Sequence, residues 1–85
     1  MRITEEIEFF FQPRLEQDGD LWSAFCDELR MASCGTTDEE AILNLLRTLQ
    51  ALGRALRKRG ILEKTLTDAG LEWREIETEG LRVVA

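Results

Sequence analysis

The run from Thr37 to Gly60 constrains the fold more than any other part of the chain, because it carries signals for both ends of a long helix. Thr37 and Glu40 have the spacing of a capping box, and acids fill the first turn, where the helix dipole favours them. Gly60 stands where a helix C-cap is expected. Apolar residues recur between these signals at three- and four-residue spacing: Ile42, Leu45, Leu49, Leu52 and Leu56. The pattern predicts an amphipathic helix over residues 38–59, about 33 Å long at ~1.5 Å per residue.

The width of the apolar stripe bears on what this helix packs against. Leu46 and Ala55 widen the stripe. A coiled coil needs at least three or four sustained heptads, and the stripe spans only about two. We therefore predict that the helix packs on one face of a sheet. A second arrangement stays open, in which the far end of the helix overhangs the sheet and meets another subunit.

The segment before the helix has the period-two pattern of β-strands. Ile7, Phe9 and Phe11 alternate with mostly polar neighbours, which predicts a half-buried strand rich in aromatics. Pro13 follows and has no N–H to donate, so it limits this strand to an edge or an end.

Two turn signals divide the residues that follow. The pair Asp18-Gly19 indicates a hairpin, and residues 21–26 form a second predicted strand. Asp27 and Glu28 make the next turn, and residues 30–34 form a short third strand. The order of these segments predicts an antiparallel meander.

The segment after Gly60 continues with weaker signals. Residues 61–69 predict one short helix that ends at Gly70, and residues 71–77 are extended. A last apolar stretch covers residues 81–84. The pattern leaves open whether the extended tail pairs with its own sheet or with that of a neighbouring molecule.

Together these elements predict an α+β fold, with a three-stranded antiparallel meander, one long helix packed on one face, a short helix and an extended C-terminal tail. Residues 1–60 form the β-β-β-α domain, and residues 61–85 form a C-terminal extension of the same globular unit. A chain of 85 residues buries only ~60–65% of its unfolded surface, so its core is thin. The long apolar helix and the aromatic edge strand leave surface that is costly to expose. We therefore predict a homodimer or a higher homo-oligomer.

The residue types that are missing argue against catalysis. The chain has no histidine and no tyrosine, so it lacks the side chain that most often transfers protons near neutral pH. Cys26 and Cys34 are too few for a secreted disulfide scaffold and, without histidine, too few for a zinc site. We interpret them as small apolar strand residues in a reducing compartment. The prediction is a protein that is not an enzyme and has no cofactor.

The charge distribution suggests two interpretations of the helix. The net charge of −6 opposes broad affinity for nucleic acid. No apolar run reaches the ~20 residues of a membrane span, and the N-terminus lacks a signal-peptide pattern, which predicts a cytoplasmic protein. One stretch is nevertheless basic, through Arg47, Arg54, Arg57, Lys58 and Arg59. These cations are either a nucleic-acid footprint or a set that the negative end of the helix dipole favours.

Two nearly adjacent stretches carry a family resemblance. Residues 22–29 read WSAFCDEL, and residues 33–41 read SCGTTDEEA at the start of the helix. This arrangement resembles the HicB-like antitoxins, whose members show an aromatic, a small residue and then Pro-Glu/Asp-Leu. A Ser-x-Gly-x-Thr-x-Glu-Glu-Ala helix start follows in that family at the same spacing as in this chain, with no insertion or deletion between the two motifs. Residues 62–71, LEKTLTDAGL, also look like the tail of some stand-alone members.

The resemblance implies a self-associating domain that binds a small basic toxin, HicA-like and RNA-cleaving, and inhibits it by stoichiometric contact. An acidic partner is suited to compete with RNA phosphates for a basic surface. The candidate contact residues are Asp27 and Glu28 in the turn, joined by Phe10 and Trp22 if these lie on the sheet face that the helix leaves uncovered. For each of the four, ordinary structural packing is the alternative role.

The chain departs from the family pattern in two places. Asp27 stands where the family usually has proline. The segment after Gly60 is also too short and too acidic for the DNA-binding module that many full-length members append, which speaks against operator binding. A different class of function, an oligomeric nucleic-acid-associated regulator, would use Arg47, Arg54, Arg57 and Lys58.

Overall fold

The computed structural model describes the backbone of residues 3–79 and the side chains of residues 7–75. In chain order its elements are β1 (Ile3–Phe10), β2 (Arg14–Asp18), β3 (Leu21–Cys26), β4 (Met31–Gly35), α1 (Asp38–Lys58), α2 (Leu62–Asp68) and β5 (Glu72–Glu79). β2, β3 and β4 form a three-stranded antiparallel sheet, and β1 and β5 form a separate antiparallel pair. The predicted α+β fold is confirmed. The apolar stretch at 81–84 lies outside the described residues.

The hairpin between β2 and β3 forms at the predicted Asp-Gly signal. Asp18 pairs with Leu21, so Gly19 and Asp20 make a two-residue loop. Gly19 has a φ of +63°, the positive φ that a type II′ turn requires at its first central position. A four-residue loop at 27–30 then connects β3 to β4.

The aromatic strand and the first strand of the meander are two separate elements. β1 ends at Phe10, and Pro13 lies between it and β2, where the missing N–H costs no ladder hydrogen bond. β1 pairs with β5 from Ile3, opposite Glu79, to Phe10, opposite Glu72. The extended tail therefore adds its strand to its own chain.

Side-chain and glycine signals define both ends of α1. The Thr37 hydroxyl accepts a hydrogen bond from the Glu40 N–H (3.0 Å), and the Glu40 carboxylate accepts one from the Thr36 N–H (2.7 Å). This exchange satisfies helix N–H donors much as a capping box does, with the carboxylate reaching one residue farther back. Gly60 and Gly70, both with φ of +74°, end α1 and α2 with the main-chain hydrogen bonds of a Schellman motif.

α1 packs over β3 and β4 and also contacts β1 and α2. Gly53 allows the close approach of β1, because a Cβ at this position would lie 2.5 Å from Cδ1 of Ile7. The core is one cluster of buried apolar residues: Ile7, Ala24, Cys26, Ala41, Leu45, Leu49, Leu56, Leu62, Leu66 and Leu71.

Candidate partner-binding site

The three-stranded sheet has one face covered by α1 and one face left open. Strand alternation along β3 puts Trp22, Ala24 and Cys26 on the α1 side, where Ala24 and Cys26 are fully buried. Leu21 and Phe25 lie on the other side. The register of the sheet adds residues of β2 and β4 to this side, which we call the open face: Arg14, Glu16, Asp18, Leu21, Ser23, Phe25, Ala32 and Cys34.

Arg14 organises one end of the open face. Its guanidinium donates hydrogen bonds to both carboxylate oxygens of Asp27, each at 2.9 Å, and it also pairs with Glu16 on its own strand. The same guanidinium lies 4.1 Å from the ring centre of Phe25, within cation–π distance. The Arg14 hydrogen bonds hold the pKa of Asp27 below its ordinary range, and the pKa of Arg14 is raised in turn. Arg14 therefore ties the β3–β4 turn to β2 and partly covers Phe25.

The open face and its two loops are acidic. Carboxylates outnumber cations there by five to two: Glu16, Asp18, Asp20, Asp27 and Glu28, against Arg14 and Arg30. Among the described residues, Asp18, Asp20 and Glu28 have no ion-pair partner. These three carboxylates are therefore available to cations from outside the chain.

Asp27 and Glu28 lie together in the exposed turn, as the sequence predicted, but with different partners. Asp27 is held by Arg14, whereas the Glu28 carboxylate accepts a long hydrogen bond from the Cys26 thiol (Sγ–Oε1 3.7 Å). Burial raises the pKa of the Cys26 thiol, so this cysteine stays protonated and unreactive at neutral pH. Cys34, in contrast, is exposed.

The two aromatic candidates are not brought together with this turn. Trp22 lies on the α1 side of β3 and packs against the core. It is therefore not on the uncovered face of the sheet, which was the condition for its role in partner binding. Phe10 is 46% exposed, but it belongs to β1 in the other sheet, where Arg74 lies 5.8 Å from its ring centre. The structure puts Phe25 and Leu21 on the open face instead.

Sequence reasoning missed Phe25 and Leu21 because β3 has no polar face to mark the solvent side. Its sequence, LWSAFC, has apolar residues at both alternating sets of positions. One signal was present: Ala24 and Cys26 are small residues two positions apart, and small side chains allow a helix to pack closely on a strand.

The basic candidates on α1 separate into two groups. Arg47, Arg54 and Lys58 are exposed and lie on the side of the helix opposite the core, since their spacings of seven and four residues return to one face. Arg57 is half-buried on another side and pairs with Glu75 of β5 (3.8 Å). Arg57 thus links the helix to β5, and the solvent-facing basic stripe consists of the other three residues.

Within the part of the chain that the structure describes, no group of three or more cysteines or carboxylates could hold a metal ion. No helix among the described residues is long and apolar enough to cross a membrane. Comparisons with protein-family models, with curated proteins and with solved structures find no match for this chain.

Proposed function

We propose that this protein is a HicB-like antitoxin, or a solitary relative of one, that binds and neutralises a small basic RNA-cleaving toxin through the open face. It acts by stoichiometric contact in the cytoplasm, without catalysis, and it self-associates. The observation that carries the proposal is the composition of the open face and its two loops, where exposed Leu21 and half-buried Phe25 lie on a surface whose carboxylates outnumber its cations. The resemblance of residues 22–29 and 33–41 to the antitoxin family supports the same function.

The charges of the open face suit such a partner. An RNA-cleaving protein presents cations where RNA phosphates bind, and Asp18 and Asp20 supply carboxylates in their place, with Glu28 in the turn at the other end of the sheet. Leu21, which is 46% exposed, offers apolar surface next to Asp18 and Asp20. Apolar and aromatic groups at the centre of an interface carry most of its binding energy, while charges at the rim steer the encounter.

Co-purification followed by an activity assay tests the proposal. The protein is purified with its partners from native lysate, and a small basic protein is expected in stoichiometric amount. RNA cleavage by that partner is then measured while this chain is added, and full inhibition is expected near one-to-one. Leu21→Lys is expected to weaken inhibition by at least about tenfold. Leu43→Lys is the matched control, because Leu43 is 48% exposed but lies on α1. Cleavage that continues at molar excess of the wild-type chain rules out the antitoxin function.

A second candidate function uses the basic stripe on α1. Arg47, Arg54 and Lys58 have no ion-pair partner among the described residues and lie on the solvent side of the helix, as a nucleic-acid-associated regulator would require. Such binding would fall steeply with salt, with a log–log slope of about −0.9 per phosphate contact on duplex DNA. Absence of binding at low salt removes this candidate, and replacing all three cations with alanine should abolish any binding that is seen.

A further inference from the structure

Side chains of α1 cover some of the free edges of the two sheets and leave others uncovered. Gln50 of α1 uses its side-chain amide on both main-chain groups of Ile7: it accepts from the N–H (3.2 Å) and donates to the carbonyl. Both groups must therefore point away from β5, so Gln50 occupies the free edge of β1. Asn44, also on α1, donates to the carbonyl of Cys34 (2.9 Å).

The Asn44 hydrogen bond likewise occupies a free edge. The two-residue loop makes Asp18 and Leu21 a hydrogen-bonded pair, and the pattern alternates from there along both strands. The main-chain groups of Trp22 and Ala24 consequently point to β4, and those of Cys34 point outward. Side chains of α1 thus block the outer edges of β1 and β4, where an added strand would otherwise pair.

The outer edge of β2 has no such cover. The same alternation directs the N–H and carbonyl groups of Leu15 and Gln17 away from β3, and no described side chain hydrogen-bonds to them. All five residues of β2 are exposed, including Leu15 at 38%. β5 differs again, because four of its eight residues are glutamates, which oppose pairing with a second copy of itself.

We propose that β2 is a dimerisation edge, where β2 strands from two copies of this chain pair antiparallel about a two-fold axis at Leu15. The main-chain groups of the two Leu15 residues then form a hydrogen-bonded pair, and their side chains cover each other on the α1 side of the sheet. On the open face, Arg14 of each copy lies opposite Glu16 of the other, so opposite charges meet twice.

Charge complementarity selects this register over its neighbours. Strands that keep the same faces together can also pair about Glu16 or about Gln17. A two-fold axis at Glu16 puts two like carboxylates directly opposite each other, and an axis at Gln17 puts Glu16 opposite Asp18 twice. Of these three axes, only the one at Leu15 places no like charges opposite each other. The result is a continuous six-stranded sheet with both open faces on one side, and it does not depend on what those faces bind.

The molecular mass in solution tests the proposed dimer. Light scattering after gel filtration should give the wild-type chain twice the 9.8 kDa of one molecule across micromolar concentrations. Leu15→Asp and Glu16→Lys should each give the mass of one molecule with an unchanged far-ultraviolet circular dichroism spectrum. Leu43→Asp, at a similarly exposed leucine on α1, should remain dimeric. A wild-type monomer, or dimers in both β2 variants, overturns the proposal.

Disulfide cross-linking tests the register without relying on loss of the dimer. Hydrogen-bonded antiparallel partners have Cα atoms ~5.5 Å apart, within the range of a disulfide. In a Cys34→Ser background, which removes the exposed thiol, Leu15→Cys should therefore cross-link under mild oxidation. Gln17→Cys should not, because its two copies lie more than about 13 Å apart, and Leu43→Cys controls for random collision. Cross-linking through position 17 rather than position 15 would contradict the proposed register.

Discussion

Arg14 and Asp27 are 13 residues apart in the chain and are joined by two hydrogen bonds of 2.9 Å. The pair connects β2 to the turn between β3 and β4, so one guanidinium ties the first strand of the sheet to the turn that joins the other two. Both side chains are more than 45% exposed, which limits how much such a pair stabilises the fold. Because the pair is bidentate, it stabilises the fold more than an ion pair with a single hydrogen bond would.

We expect Asp27→Asn to lower the free energy of unfolding at about pH 7 and to have a progressively smaller effect as the pH falls below the ordinary carboxyl pKa. Arg14 holds the pKa of Asp27 below its ordinary value of 3.8, so the folded state binds the proton less readily than the unfolded chain. The stabilisation is therefore present above pH 3.8 and is lost as the pH falls through the lower folded-state pKa. Urea unfolding followed by tryptophan fluorescence measures it.

Asp20→Asn is the control for this change. Asp20 is an exposed turn carboxylate with no ion-pair partner among the described residues, so its replacement should leave stability almost unchanged across the pH series. An equal loss in the two variants, or an Asp27→Asn loss that does not diminish as the pH falls, would show that the ion pair with Arg14 is not the cause.

Gln50→Leu should destabilise the fold by about 1–3 kcal/mol, because it leaves the partly buried N–H and carbonyl of Ile7 without their partner. Amide hydrogen exchange at Ile7 should become faster than at neighbours whose N–H groups point to β5. Gln17→Leu is the control, since the Gln17 side chain hydrogen-bonds only within an exposed turn. Unchanged exchange at Ile7 would exclude Gln50 as the group that covers this edge.

Gly60→Ala should lower the free energy of unfolding by about 1–2 kcal/mol, through backbone strain alone. Gly60 has a φ of +74°, and a Cβ there would meet no atom within 4 Å, so no clash contributes. Gly60→Asn should cost less, because asparagine tolerates the left-handed conformation better than alanine does. Thermal unfolding of the two variants compares these costs, and equal destabilisation by both would argue against the conformational explanation.

The effect of Gly53→Ala on the free energy of unfolding should change sign with the residue at position 7. In the wild-type background the added methyl group meets Cδ1 of buried Ile7, at a cost of ~1–3 kcal/mol that exceeds the ~1 kcal/mol gain in helix propensity. Ile7→Val removes that Cδ1 atom. In the Ile7→Val background, Gly53→Ala should therefore be neutral or stabilising, as measured by a double-mutant cycle in urea. Additive effects would mean that the contact between β1 and α1 relaxes without cost.

Several elements could be predicted because their signals act within a few residues. Thr37 and Glu40 are close enough to cap α1 by themselves, and Gly19 and Gly60 mark turns that need a positive φ. The resulting order of strands and helices was sufficient to predict the α+β fold. The turn at Asp27 was also readable, although its partner Arg14 was not, since nothing in the order of residues links two charges on different strands.

Local signals in the order of residues define where the helices and hairpins form, because main-chain geometry and capping depend on near neighbours. Packing between distant segments, in contrast, sets which face of β3 is open, the pairing of β1 with β5, and the contact by which Gln50 covers the edge at Ile7, 43 residues away. These relationships join segments that are distant in the chain, and their energies depend on burial and on which main-chain groups are already paired. An apolar residue such as Phe25 has the same local signal on either face of a strand, so its exposure follows from where α1 packs.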